Sequence, residues 1–259
     1  ISDWILNMHD QEKKSFYKYD SVNQLQYCKD KKDYTKIDSP KNRLTFAQYS
    51  RNNKVIKKDW SASMIDIGDG VLGVELHSVL KPDFNPLDGS MVSVLESAVE
   101  WVKENDYKGL VISGDGVNFS AGANLNLILN AADRKEWDLI DRMTKTMQDT
   151  FQSLRFAPFP VIAAPFGFVL GGGYEICGSC DRIVAASESY IGLVEVGMGI
   201  IPGAGGNLRM LNNVSDSVKT MMPGSFPVVQ KVFETVGFGK VATSSKLKAG
   251  VSNFFFLFL

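Results

Sequence analysis

Histidine is nearly missing from this chain: among 259 residues there are two, His9 and His77. Neither lies in a motif-rich stretch, and there is no G-x-S-x-G turn, which argues against a Ser-His-Asp hydrolase. Cysteine is scarce as well. Cys28, Cys177 and Cys180 are an odd number at no framework spacing, which argues against a secreted disulfide scaffold and for a reducing, cytoplasmic setting. A zinc site needs about four ligands; the Cys177/Cys180 pair has no second CxxC to join it, and no metal site is expected. Net charge is close to absent, with 28 Lys+Arg against 29 Asp+Glu, so no concentrated positive charge favours nucleic acid or an anionic membrane. A long apolar run is missing too: the terminal NFFFLFL is far shorter than the ~20 residues a membrane-spanning helix requires. Nucleotide-phosphate loops are likewise absent, because GMGIIP at 197–202 has Pro202 where G-x-G-x-x-G needs glycine and no GxxxxGK occurs. A small molecule or a protein is the partner these absences leave.

What is present is enough for one large domain with an appendage, at 44% hydrophobic and 22% charged residues. Residues 1–60 hold 13 Lys+Arg against 8 Asp+Glu, a surplus of five, which leaves the remainder at minus six. The chain opens at Ile1 without a methionine or a signal peptide and is read as a piece of something longer. Two domains are expected: 1–59, a polar, lysine-rich extension with no obvious core of its own, and 60–259. In the first, the spacing of Tyr17, Tyr19, Tyr27 and Tyr34 predicts short strands. In the second, MIDIGDGVLGVELH predicts a hairpin, SMVSVLESAVEWVKEN a helix and GLVISG a buried strand. Long helical stretches then run from ANLNLIL to QSLRFA, and PVIAAPFGFVL predicts one strand, GGGYEICGSCD a helix start and RIVAAS another strand. This alternation predicts an α/β layered fold.

Chemistry concentrates between Pro160 and Gly206. Gly171, Gly172 and Gly173 follow an apolar strand and precede a helical segment, so backbone N–H groups there can face a ligand with no side chain between; a tight turn alone explains three glycines about as well. Cys177 and Cys180 read best as small core hydrophobes. Two carboxylates stand out. Glu175 and Glu195 are each set in glycine-rich and apolar surroundings, which is costly for an ionised group unless it has a partner or a task. One buried glutamate is usually structural. Two around a single water can divide the work of hydrating a carbon–carbon double bond, one removing a proton from water and the other protonating the neighbouring carbon, with burial raising at least one pKa.

These residues resemble the enoyl-CoA hydratase/isomerase (crotonase) superfamily: PVIAA, then LGGG with a glutamate two residues on, then CD, a second glutamate twenty positions after the first, and IPGAGG. GDGVNFSAGANL at 114–125 is similar to the family's G-x-x-FxAGADL segment, and the resemblance covers about residues 60–210. It implies a crotonase-like ββα spiral core. It implies that the N–H groups of Ala123 and Gly172 form an oxyanion hole for a thioester oxygen, that Glu175 activates water, and that Glu195 protonates the α-carbon. Ser120, Ala121, Gly122, Gly171, Gly173, Pro202 and Gly203 would line the path of coenzyme A and substrate. The departures are Asn124 for the usual Asp, Phe166 for a common Asn and Val194 for a frequent Pro; they bear on the acyl-chain preference. The stretch after Gly206 is shorter than the family's C-terminal helical region.

The implied activity is reversible addition of water to trans-2-enoyl-CoA giving L-3-hydroxyacyl-CoA, a step of fatty acid β-oxidation. The alternatives are a double-bond isomerase, which generally manages with the second glutamate, and a non-catalytic acyl-CoA-binding or assembly subunit. APFGFVLGGG with GLVEVGMGIIP resembles the subgroup in which a 3-hydroxyacyl-CoA dehydrogenase precedes the hydratase on one chain. Residues 1–59 would then be the tail of that dehydrogenase. No cofactor is expected in this chain; the substrate arrives as a coenzyme A thioester, NAD belongs to the attached dehydrogenase, and an oligomer is expected.

Overall fold

The computed structural model describes residues 2–19, 24–37, 45–52, 54–218 and 225–244. The terminal NFFFLFL run at 253–259 lies outside them. The chain divides into two compact units, Ile1–Val55 and Ile56–Leu259.

The first unit begins with α1 (Asp3–Asp10), followed by the antiparallel strands β1 (Tyr17–Tyr19), β2 (Gln24–Cys28) and β3 (Asp33–Lys36). The tyrosine spacing does mark strands, with Tyr27 opposite Tyr34. The segment also holds an aromatic cluster that its polar composition hides: Trp4 stacks at 6.3 Å on Tyr27, which meets Tyr34 edge-on at 5.9 Å. Such pairs contribute about 0.5–1.5 kcal/mol each beyond area burial. The helix α2 (Phe46–Arg51) is the last element wholly within this unit, and the short strand β4 (Val55–Lys58) opens the second.

In the second unit β5 (Ala62–Asp66) and β6 (Val71–Leu76) form the predicted hairpin, and Gly68, Asp69 and Gly70 at its turn all have positive φ. α3 (Gly89–Glu104) then returns the chain to β7 (Gly109–Ser113), parallel to β6. Its N-terminus is capped by the Asp88 carboxylate, which accepts from the Met91 N–H at 3.0 Å. Alternation puts Leu72, Val74 and Leu76 on the face shared with Val94, Leu95 and Val99 of α3, in one continuous core. Shortening a side chain such as Leu95 to Ala there costs about 2–5 kcal/mol.

Two helices, α4 (Leu125–Asp133) and α5 (Trp137–Arg155), lead to β8 (Val161–Ala163), which lies beside β7. The expected single strand across PVIAAPFGFVL is in fact two. β9 (Phe168–Leu170) leaves the six-stranded sheet, whose order is β10-β8-β7-β6-β5-β4, and pairs in parallel with β11 (Tyr190–Gly192). The break falls at Pro165, which cannot donate to a ladder, and at Gly167, whose φ is 57° and where a Cβ would stand 2.4 Å from Asn118 Oδ1. Between these lie α6 (Gly172–Gly178) and β10 (Arg182–Ile183), so RIVAAS forms only a two-residue strand. A 3-10 turn, Glu195–Met198, and the helices α7 (Gly206–Val218) and α8 (Phe226–Val236) complete the described elements. Cys177 and Cys180 are both core residues, the latter past the end of α6. Among the described residues no helix is long and apolar enough to cross a membrane.

Candidate active site

The site forms where three chain segments run side by side. Ser120 bridges Val169 of β9, its N–H donating to Phe168 O and its own carbonyl accepting from Leu170 N–H. This sets residues 120–123 against the turn that leaves β9. Gly122 sits at the closest approach with φ 98°, and a Cβ there would be 3.1 Å from Leu170 O and 3.4 Å from Gly172 N. Ser120 Oγ accepts from the Gly122 N–H at 3.1 Å and so shapes the turn from inside.

The N–H groups around this crossing are almost all engaged. Ala121 donates to Phe84 O, Asn124 to Leu87 O and Gly171 to Gly192 O. Among the described residues, the N–H groups of Ala123 and Gly172 have no acceptor within the protein. They are neighbours in space: a Cβ built on Gly172 would lie 3.7 Å from Ala123 N. Both residues line a cavity of about 230 Å³. Two unengaged donors on one cavity wall are suited to holding a single oxygen as charge builds on it.

Both glutamates line the same cavity. Glu175 sits on α6, 2% exposed. Its Oε1 accepts from the Ala204 N–H at 2.9 Å and the Gly206 N–H at 2.8 Å. A Cβ on Gly206 would crowd that oxygen at 3.0 Å, which accounts for the final glycine of IPGAGG. Burial pushes the Glu175 carboxyl above its ordinary pKa, and the two amide hydrogen bonds partly offset this. Glu195 opens the 3-10 turn just after β11, and the pairing of β11 with β9 brings it across from Glu175. Glu195 Oε1 would lie 3.1 Å from a Cβ at Gly171, so the bare backbone there admits the carboxylate. Its Oε2 is buried without a hydrogen-bond partner. Burial first, then the Glu175 charge, pushes the Glu195 pKa up to about 7. A carboxyl so poised holds its proton for a good part of the time at neutral pH and can give it up.

The cavity therefore brings together Glu175, Glu195, Ala121, Gly122, Ala123, Gly171, Gly172 and Gly203 from the expected set. Three others do not line it. Ser120 is fully buried behind the turn, Gly173 packs against it, where a Cβ would meet Ser120 O at 2.8 Å, and Pro202 is buried at the start of its loop.

Apolar walls that sequence reasoning missed come from α4 and α5, notably Leu125, Ile128, Ile140 and Met147, and from Ile200 and Ile201. The only signal for them is the amphipathic spacing of these helices, which core packing produces equally well. A second, mostly apolar cavity of about 290 Å³ adjoins the first and shares Ala123, Ile128, Ile140, Thr144 and Met147 with it.

The family model described as enoyl-CoA hydratase/isomerase matches residues 66–223. A Bacillus subtilis protein described as "Probable 3-hydroxyacyl-CoA dehydrogenase" is 36% identical over 245 residues, 94% of this chain and 29% of its own length. The 2,3-dehydroadipyl-CoA hydratase of Escherichia coli is 34% identical over 138 residues, 53% of this chain and 51% of that protein. The chain thus spans under a third of the first relative and about half of the second. Among solved structures, enoyl-CoA hydratase from Bacillus anthracis superposes with a TM-score of 0.60 at 25% identity, covering 74% of this chain and 68% of that one.

Proposed function

The chain belongs to the enoyl-CoA hydratase/isomerase family, and within it we propose that this protein is a hydratase, adding water reversibly to trans-2-enoyl-CoA to give L-3-hydroxyacyl-CoA. The observation that carries the reading is two carboxylates lining one cavity with two unengaged backbone N–H groups.

In the forward direction the thioester oxygen is held by the Ala123 and Gly172 N–H groups, which draws electron density from the double bond. Glu175 takes a proton from water. The resulting hydroxide oxygen bonds to the β-carbon, the π electrons shift toward the thioester oxygen, and Glu195 delivers its proton to the α-carbon. Two amide bonds on Oε1 hold Glu175 still, which assigns the water to its other oxygen. The half-protonated state of Glu195 near neutrality supports a donor in one direction and an acceptor in the other. The scheme uses the chain's own groups and the coenzyme A thioester, with no metal or nicotinamide.

The acyl tail is proposed to pass beside Ile128 and Met147 into the adjoining apolar cavity. The Bacillus subtilis relative, much longer than this chain and described as a dehydrogenase, supports a further proposal: this chain is the hydratase part of a fused protein whose NAD-dependent neighbour oxidises the product. A cytoplasmic location and an oligomeric state belong to the same reading.

The test is the fall in ultraviolet absorbance as a conjugated enoyl thioester is hydrated, followed across acyl chain lengths. Turnover supports the hydratase; acyl-CoA binding with no turnover at any length favours a binding subunit.

A further inference from the structure

The loop that holds Glu175 is itself soft. Pro202-Gly203-Ala204-Gly205-Gly206 has three glycines in five residues, and Gly205 adopts φ 110°. Such a backbone has little intrinsic preference for one direction of its N–H groups, yet the Ala204 N–H must point at Glu175 Oε1. The other side of the same peptide unit is also held. The Gln148 side chain on α5 donates through Nε2 to Gly203 O at 2.7 Å. In a planar trans peptide the carbonyl of Gly203 and the N–H of Ala204 point in opposite directions. Gln148 and Glu175 therefore grip one rigid plate from its two sides, and turning the carbonyl away from Gln148 turns the N–H away from Glu175. Thr144, one helical turn earlier on α5, backs the same loop, its Cγ2 lying 3.5 Å from where a Gly203 Cβ would be.

We propose that Gln148 is a positioning residue that fixes the Gly203–Ala204 peptide and, through it, the Glu175 carboxylate. This rests on the hydratase reading for its kinetic consequence, though not for the geometry. Gln148 is solvent-exposed, so water can replace its hydrogen bond to the carbonyl, but water does not fix the carbonyl's direction. The charged neighbours on α5, Lys145 and Asp149, pair with each other. Glu195 across the cavity and Tyr174 beside it on α6 both feel the Glu175 charge, and the buried Cys177 thiol lies on the same helix.

The experiment compares wild type with Gln148→Leu and Gln148→Lys, the second keeping a donor of similar reach. Gln148→Leu should lower kcat roughly three- to tenfold, the range expected for one side-chain hydrogen bond, with KM for the enoyl thioester within twofold. The acid limb of its pH–rate profile should move to higher pH, because Glu175 loses a donor to its ionised form and must be deprotonated to act. Gln148→Lys should restore both. A Gln148→Leu profile that superimposes on wild type, or no recovery in Gln148→Lys, overturns the proposal. If wild type hydrates no enoyl thioester, the hydratase reading fails and the proposal is decided separately. The Glu175 carboxyl, followed by carbon-13 NMR, should titrate at higher pH in Gln148→Leu than in wild type; an unchanged titration overturns it.

Discussion

Replacing Glu175 by Gln separates catalysis from binding and from folding within one side chain. The amide oxygen of Gln can keep both bonds that Oε1 now accepts, from Ala204 and Gly206 at 2.9 and 2.8 Å, so the loop and the cavity shape are retained. What disappears is the ability to take a proton from water. General-base catalysis is worth roughly 10²–10⁴ in rate, or about 3–5 kcal/mol of barrier, and hydration of a short trans-2-enoyl thioester should fall by that factor. Binding of a saturated acyl-CoA should stay within a few-fold, because the Ala123 and Gly172 donors are untouched. Thermal stability should not fall, since the variant removes a carboxyl that burial already disfavours as an ion. Hydration is read by absorbance, binding by calorimetry and stability by melting. A Gln variant within threefold of wild-type hydration refutes the two-carboxylate scheme. Loss of hydration with undiminished double-bond migration shows that Glu195 alone supports the isomerase reaction.

Glu195→Gln should also abolish hydration while stabilising the fold at alkaline pH. The Glu195 pKa is raised from 4.5 to about 7 in the folded chain, so the folded state holds a proton that the unfolded chain loses between those values, and stability falls as pH rises through that window. Relative to wild type the variant should gain about 1–2 kcal/mol at pH 8, after allowance for partial solvent screening, and nothing at pH 4; equal gains at both values contradict the assignment. Gly173→Ala should cost about 1–3 kcal/mol in denaturant unfolding, because its Cβ would meet the Ser120 carbonyl at 2.8 Å; a neutral outcome contradicts the packing role. Ser93→Trp, at an exposed position on the adjoining apolar cavity, should lower kcat/KM for long acyl chains at least tenfold more than for a four-carbon chain; equal losses contradict the proposed path of the tail.

The glutamates and glycines of this site were legible in the sequence because their reasons are local. Gly122 and Gly206 are glycines since any Cβ would strike a neighbouring backbone atom or carboxylate, and the glutamates stand out against apolar surroundings. Their meeting across twenty residues depends on β11 lying beside β9, which no local pattern encodes. The break between β8 and β9 was missed although Pro165 and Gly167 announce it, because the apolar run on either side reads as one strand. The cavity walls were hidden for another reason: Ile128, Ile140 and Met147 follow the same spacing that core packing imposes on any amphipathic helix. Gln148 was the least visible, since an exposed polar residue on a helix looks like solvated surface until its carbonyl partner is known. Ser120 and Gly173, which the family resemblance places along the substrate path, are both buried, and a Cβ on Gly173 would meet the Ser120 carbonyl at 2.8 Å.

The most direct test is a crystal structure of the protein with an unreactive enoyl-CoA analogue. The account predicts the thioester oxygen about 2.7–3.1 Å from both the Ala123 and Gly172 nitrogens, with a water between the carboxylates of Glu175 and Glu195. A thioester bound away from those two N–H groups, or carboxylates that share no water next to the β-carbon, would contradict it.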